Sequence, residues 1–391
     1  MRIHDDNNRI RNTGVNARIK GKPVKLPVDS VRINKGSNKP GIDSKIQKLK
    51  QMAVENHKKP AEKPVEKDGG YAPPGRYLWD SWIIKDGENY HLFHLDAPRT
   101  VESAQIHDLA GVRHATSKDL INWKDKGSLF KNAPYGSWDD GATWTGNVYK
   151  ADNGDHLFFY TGRNQRDGQM QRIGLARSKD GESWDRPDAP LIEPDGRWYE
   201  TTESSPIYKA WRDPCVVKDE KTGKHIMYFT AKTKGGDERY KGCIGIAEAD
   251  KIDGEYDVKP PVLAPGLYAQ MEVPQIVQKN GKVYMFFSSA EKDYNPEWAE
   301  KVGGAQSGLH CFVGESLKGP FKPINGNGIV TGSDANLYTV KLIPDPDREG
   351  EYVAIGWYME DKNDQKAFTL SKPMKVNWEG DNIGIDTGTK K

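Results

Sequence analysis

The chain has 391 residues, is 35% hydrophobic and carries 58 Lys+Arg against 56 Asp+Glu, a formal net charge of +2. No window approaches 18 uninterrupted apolar residues, which excludes a membrane-spanning helix. Forty Gly and 11 Trp suit a turn-rich, aromatic-packed β protein.

Charge is uneven along the chain. Residues 1 to 70 carry 17 Lys+Arg against 8 Asp+Glu, a net of +9, so residues 71 to 391 hold −7 of the +2 total. The first 70 residues have no aromatic side chain before Tyr71 and are rich in Asn, Lys, Gly and Pro. Apart from a short helix predicted near Ile46 to Val54 they show no periodic apolar face. They read as a basic arm, extended or disordered. Without aromatic interleaving the arm is expected to be a solvated tail and not a nucleic-acid reader. Met1 is followed by Arg, Ile, His, Asp, Asp and Asn, which is not the apolar core of a signal peptide, and the compartment is left open.

From residue 71 onward two elements alternate. An apolar, aromatic strand recurs at Tyr90 to Phe93, Leu157 to Tyr160, Ile226 to Phe229, Val283 to Phe287 and Tyr352 to Ile355. Between these runs a small-residue strand leads into a polar turn, at Gly111 to Asp119, Ile173 to Asp180, Ile244 to Asp250 and Leu309 to Ser316. Short strands in this order, repeated five times, are what propeller blades require, because a single four-stranded sheet cannot bury both faces until neighbours stack on it. The fold class predicted for residues 71 to 391 is therefore all-β, a five-bladed β-propeller absorbing the whole stretch as one domain.

Three acids head strand-like runs at intervals close to multiples of one spacing: Asp80 in Trp79-Asp-Ser-Trp-Ile-Ile84, Asp213 in Trp211-Arg-Asp-Pro-Cys-Val-Val217, and Glu272 in Met271-Glu-Val-Pro-Gln-Ile-Val277. Any one of them alone is an ordinary turn or strand-edge acid. In a ring of similar sheets, equivalent positions converge on the axis, and the three carboxylates would share one pocket. Such a trio suits glycoside cleavage. Retention of configuration uses two carboxyl groups about 5 to 5.5 Å apart, inversion a wider pair, and a third holds sugar hydroxyls. Crowding and burial separate their pKa values, while donors keep a nucleophile ionised. Trp79, Trp82 and Trp144 offer flat apolar faces and Arg212 a forked donor to a sugar. The three cysteines, Cys215, Cys243 and Cys311, form no disulfide or metal pattern; Cys215, beside the pocket, has no His partner and reads as a small buried residue.

At these residues the sequence resembles the levansucrases and related β-fructosyltransferases of glycoside hydrolase family 68, which share a five-bladed propeller with the family 32 invertases and levanases. The likeness covers roughly residues 76 to 365. It is carried by Trp79-Asp80-Ser81-Trp82, Trp144-Thr145-Gly146 in place of Trp-Ser-Gly, Arg212-Asp213-Pro214, the segment around Glu272, and Ser316 to Pro323. The resemblance implies Asp80 as nucleophile, Asp213 as transition-state stabiliser and Glu272 as acid/base. It further implies a donor-sugar pocket lined by Trp79, Trp144 and Arg212, with Thr145 bonding the nucleophile. The family's Glu-x-Glu-Arg is here Gln270-Met271-Glu272-Val273, and an arginine expected within Ser288 to Lys292 is missing. Valine cannot replace a bidentate donor, so the expected donor is a β-fructofuranoside, not sucrose in particular. Two other readings stand beside it. One is an inverting arabinofuranosidase or xylosidase on the same ring, the other a carbohydrate-binding propeller that has lost turnover. No nucleotide or phosphate fingerprint occurs, so no organic cofactor is expected. Asp139-Asp140 and Pro344 to Arg348 carry oxygen ligands of the kind calcium takes, although exposed loop acids without metal are commoner.

Overall fold

In the computed structural model the described residues are 70 to 388, except 103–104, 131–132, 165–169, 202–209 and 361–365. The basic arm and its short helix lie outside them, so the expected boundary near residue 70 does too. All described residues belong to one unit, Ala53–Lys391. No described helix is long and apolar enough to cross a membrane.

Five antiparallel sheets follow one another along the chain. Blade 1 is β1 (Arg76–Asp86), β2 (Asn89–Pro98), β3 (Gly111–Ser117) and β4 (Lys124–Ser128). Blade 2 is β5 (Ala142–Lys150), β6 (His156–Arg163) and β7 (Gln171–Ser178); its outer edge carries two single bridges, Ile173 to Ile192 and Arg177 to Asp185, in place of a fourth strand. Blade 3 runs β8 (Trp211–Lys218), β9 (His225–Lys232), β10 (Gly242–Ala249) and β11 (Asp257–Leu263). Blade 4 runs β12 (Glu272–Lys279), β13 (Lys282–Ser289), β14 (Gly308–Gly314) and β15 (Phe321–Pro323). Blade 5 has β16 (Leu337–Pro344), β17 (Tyr352–Glu360), β18 (Lys366–Leu370), β19 (Met374–Glu379) and β20 (Asn382–Ile385). A one-turn-and-a-half helix, α1 (Pro296–Lys301), interrupts blade 4, capped by the Asn295 side chain on the Trp298 amide. The five-bladed propeller expected from the repeat is what the chain forms.

Position in the blade explains composition. The apolar runs are the second strands, and β6 is buried at every residue because a neighbouring blade covers each face. The outermost strands meet water and alternate, as in β4, where exposed and half-buried residues take turns. Large rings fill the spaces between blades: Trp82 stacks between Phe93 and Phe158 at centroid distances of 6.2 and 5.6 Å, joining blades 1 and 2. Trp211 packs 4.3 Å from Phe229 and 5.1 Å from Tyr199 in blade 3. Gly245 leaves room for the Phe229 ring, which a Cβ would meet at 2.1 Å.

Closure of the ring is made by hydrogen bonds between its two ends. Tyr71 and Leu370 exchange both backbone bonds, at 3.0 and 2.8 Å, and Arg99, directly after β2, donates to the Ala367 carbonyl at 2.5 Å. The three cysteines are free and buried, and burial pushes the Cys215 thiol above its ordinary pKa, as expected of a structural residue.

Candidate active site

The innermost strand of every blade breaks its register at the same place. The ladder shifts between Trp79 and Ser81, Trp144 and Gly146, Arg212 and Cys215, Glu272 and Gln275, and Tyr338 and Lys341. A bulge re-aims the side chains around it, and five bulges on five adjacent inner strands aim them at one axis. The first residues pushed out of the ladder are Asp80, Thr145, Asp213, Val273 and Thr339. Four of them hold positive φ: Asp80 24°, Asp213 60°, Val273 53° and Thr339 40°. Such backbone costs of order 1–3 kcal/mol at a non-glycine residue and persists where surrounding structure over-determines it. In blade 2 the bulge is tight enough to require glycine, since a Cβ on Gly146 would lie 2.0 Å from the Phe159 carbonyl oxygen.

This register corrects one expectation. Asp80 and Asp213 are equivalent, but Glu272 sits one position earlier, in the slot that Trp79, Trp144, Arg212 and Tyr338 fill in the other blades. The three acids also lie within or at the first residue of their strands and not in turns before them. The convergence itself does occur: Asp80, Asp213 and Glu272 line one cavity of about 720 Å³, together with Trp79, Trp144, Thr145, Arg212 and Gln270.

Hydrogen bonds fix each carboxylate differently. Thr145 Oγ1 donates to Asp80 Oδ2 at 2.8 Å and Trp357 Nε1 to Asp80 Oδ1 at 3.3 Å, from the blades on either side. Asp213 Oδ2 accepts from Thr230 Oγ1 at 2.8 Å and from the Val273 amide at 3.1 Å. Glu272 is held from both oxygens: Arg212 Nη2 donates to Oε1 at 2.7 Å and Tyr338 donates its hydroxyl to Oε2 at 2.5 Å. The same Arg212 Nη2 lies 2.9 Å from Gln270 Oε1, and Arg212 Nε lies 3.4 Å from Asp213 Oδ2. Arg212 therefore joins two of the acids.

Burial and mutual repulsion set the proton affinities. Asp80 is pushed up to about 7, first by burial and then by Asp213 and Glu272, against the opposing donors Thr145 and Trp357. Its two donors do not suffice to keep it in the usual carboxylate range. Asp213 is also raised, by burial, with Arg212 pulling the other way. Despite burial, Glu272 and Asp213 hold the Arg212 guanidinium above its ordinary pKa, so it stays charged.

Several cavity residues escaped the sequence reading. Tyr338 and Trp357 come from blade 5, where no acid flagged the inner strand; counting bulge positions finds Tyr338, because it fills the Glu272 slot. Asp293, on the loop after β13, lines the cavity and is pushed up to about 6 by burial and by Glu272. Its main chain is zipped to the segment before Glu272, with the Ala269 amide donating to the Asp293 carbonyl at 2.6 Å. Beneath the bulges Lys341 Nζ donates to the Val273 and Pro274 carbonyls at 2.8 and 3.3 Å, and burial pulls its pKa down. Two of the acids considered for calcium, Asp139 and Asp345, face cations. Asp139 pairs with Arg186 and accepts from Tyr160 at 2.8 Å; Asp345 accepts from Arg348 at 2.7 Å. Among the described residues no three metal-ligating side chains cluster.

Residues 75–341, more than half of the chain, match the family model for glycosyl hydrolases family 43. The chain belongs to that family. This family 43 member is 33% identical over 168 residues to the levansucrase LscA of Pseudomonas savastanoi pv. glycinea, covering 37% of this chain and 39% of that protein. It thus spans about two-fifths of the length of the levansucrases it matches. It is 26% identical over 309 residues to the extracellular sucrase of Zymomonas mobilis subsp. mobilis, 67% of this chain and 72% of that one. In structure it is similar to the inulosucrase from Halalkalicoccus jeotgali bound to kestose, with TM-score 0.70 and 26% identity over 83% of this chain and 90% of that one. The levansucrase from Gluconacetobacter diazotrophicus, at TM-score 0.67 and 19% identity, covering 80% of this chain and 81% of its own, shares the fold.

Proposed function

We propose that the protein is a retaining glycoside hydrolase or transglycosylase acting on β-fructofuranosides, of the levansucrase type that the sequence motifs of family 68 suggest. The observation that carries this reading is the meeting of Asp80, Asp213 and Glu272 in one cavity, with Thr145 bonded to Asp80. The similarity to a sucrase, levansucrases and an inulosucrase supports the fructosyl substrate.

In this reading an Asp80 oxygen attacks the anomeric carbon while the bond to the leaving oxygen breaks, and Glu272 gives that oxygen its proton. The resulting fructosyl ester is then attacked by water or a sugar hydroxyl, whose proton returns to Glu272, and Asp80 leaves as carboxylate. Asp213, fixed by Thr230 and the Val273 amide, accepts fructosyl hydroxyls. Arg212 and Tyr338 orient Glu272 toward the leaving oxygen. Trp79 and Trp144 supply apolar faces to the ring, and Trp144 is itself held by its indole N–H on the His107 carbonyl at 2.8 Å. Gln270 and Val273 stand where the resemblance leads one to expect a carboxylate and a guanidinium, and no arginine falls within Ser288 to Lys292, so the leaving-group side is not built for a glucosyl unit in particular.

The test is incubation of purified protein with sucrose, raffinose, inulin, levan and aryl α-L-arabinofuranosides, with the first-formed anomer followed by NMR. Release of β-fructose or its transfer product with retained configuration is expected. Turnover of the arabinofuranosides with inversion, or fructoside binding with no product, overturns the proposal.

A further inference from the structure

One hydrogen-bond arrangement recurs at the junctions between blades. The residue of the second strand that pairs with the last residue before the bulge is Leu95, Thr161, Thr230, Ser288 or Trp357, in blades 1 to 5. Three of these are hydroxyl residues, all buried, and each reaches across to the next blade. Thr161 Oγ1 accepts from the Asp213 amide at 2.9 Å, Thr230 Oγ1 from the Val273 amide at 3.2 Å, and Ser288 Oγ from the Thr339 amide at 3.1 Å. The bulge leaves an amide without a ladder partner, and the hydroxyl of the preceding blade satisfies it. This accounts for threonine or serine in the middle of otherwise apolar strands.

A hydroxyl that accepts one bond still has a proton to donate, and the blades differ in where it goes. In blade 2 Thr161 gives it to a backbone carbonyl, that of Thr145, at 2.9 Å. In blade 3 Thr230 gives it to the Asp213 carboxylate, at 2.8 Å. Thr230 thereby connects Asp213 on β8 with the main chain immediately after Glu272 on β12.

We propose that Thr230 is a positioning residue that sets the orientation of the Asp213 carboxylate and ties it to the acid/base strand. The inference rests on the fructoside-cleaving reading above. A threonine at this point fixes which Asp213 oxygen is occupied by the protein, Oδ2, and which faces the substrate. It also favours the ionised form of Asp213 against the burial that raises its pKa.

The experiment compares Thr230→Val, Thr230→Ser and wild type in steady-state cleavage of the best donor from the substrate panel, with thermal unfolding of each. Valine keeps the shape and removes the donor, and the Val273 amide retains its bond to Asp213 Oδ2 at 3.1 Å, so the fold is expected to survive. The expected result is a fall in kcat of about 10- to 100-fold with KM changed far less, since the loss is one of orientation at the reacting centre. Serine should restore most of the rate. Should Thr230→Val not fold, Thr230→Ala set against Thr230→Ser gives the same comparison without added bulk. A hydroxyl-free variant that keeps wild-type kcat, or a serine variant no faster than it, overturns the inference while leaving the functional reading intact. A wild-type protein that turns over no donor overturns that reading, and this inference with it.

Discussion

Replacing Asp80 by Asn should make the protein more stable at neutral and alkaline pH while abolishing turnover. Burial and Asp213 lift the Asp80 carboxyl from 3.8 to about 7 in the folded chain. A carboxyl raised on folding binds its proton more tightly in the native state. Its stabilising contribution is whole below its unfolded pKa near 4 and is lost as pH rises through about 7. Three pKa units at roughly 1.4 kcal/mol each give an upper bound of about 4 kcal/mol lost by the wild type across that window. Water in the cavity screens part of this, and the Asn amide serves the Trp357 donor less well at about 1 kcal/mol. A net stabilisation of about 2 kcal/mol at pH 8 remains, shrinking to nothing or reversing near pH 4. Urea unfolding of both proteins at pH 4, 6 and 8 reads this directly, as a difference in midpoint that widens with pH at constant slope. Curves separated by the same amount at all three pH values would refute the claim that Asp80 is held protonated by its surroundings.

Two other outcomes follow from the same cluster. The acid limb of kcat/KM should fall near pH 7, because free-enzyme Asp80 must lose its proton to attack; a profile flat from pH 5 to 7 would contradict this. Arg212→Met removes the cation between Glu272, 2.7 Å away, and Asp213, 3.4 Å away. It should destabilise the fold by about 3–5 kcal/mol at pH 8, the cost of leaving buried charge unpaired. Much of that stability should return at pH 4 as the carboxyls protonate, and equal loss at both pH values would point to packing instead.

The propeller was legible because stacking demands it: a second strand covered on both faces must be apolar throughout, and five such runs recur between Tyr90 and Ile355. The acids were legible for a related reason, since each stands near the start of an inner strand, Asp80 and Asp213 at one position and Glu272 one residue before it. What the repeat did not reveal is the bulge, which comes from backbone register and has no fixed residue signature. Its five instances read Trp-Asp, Trp-Thr, Arg-Asp, Glu-Val and Tyr-Thr. Without it the sequence places Glu272 in the Asp80 slot, one residue away from its true equivalents, and carries no signal for Tyr338. Thr230 and Trp357 are hidden for a different reason: they lie 17 and 277 residues in sequence from the carboxylates they touch, Thr230 on the adjacent strand of the same blade and Trp357 in the last blade of the ring. The contact of Asp139 with Arg186, 47 residues away, is hidden in the same way, since no local pattern connects the two.

The central claim is that Asp80 becomes covalently attached to a fructosyl unit. Rapid acid quench of the protein during turnover of sucrose or inulin, followed by mass spectrometry of its peptides, tests it most directly. The account predicts a peptide one hexosyl unit heavier, carrying the addition on Asp80 and absent from Asp80→Asn. Fructose released at full rate by the Asp80→Asn variant, or a hexosyl group found on another residue, would contradict it.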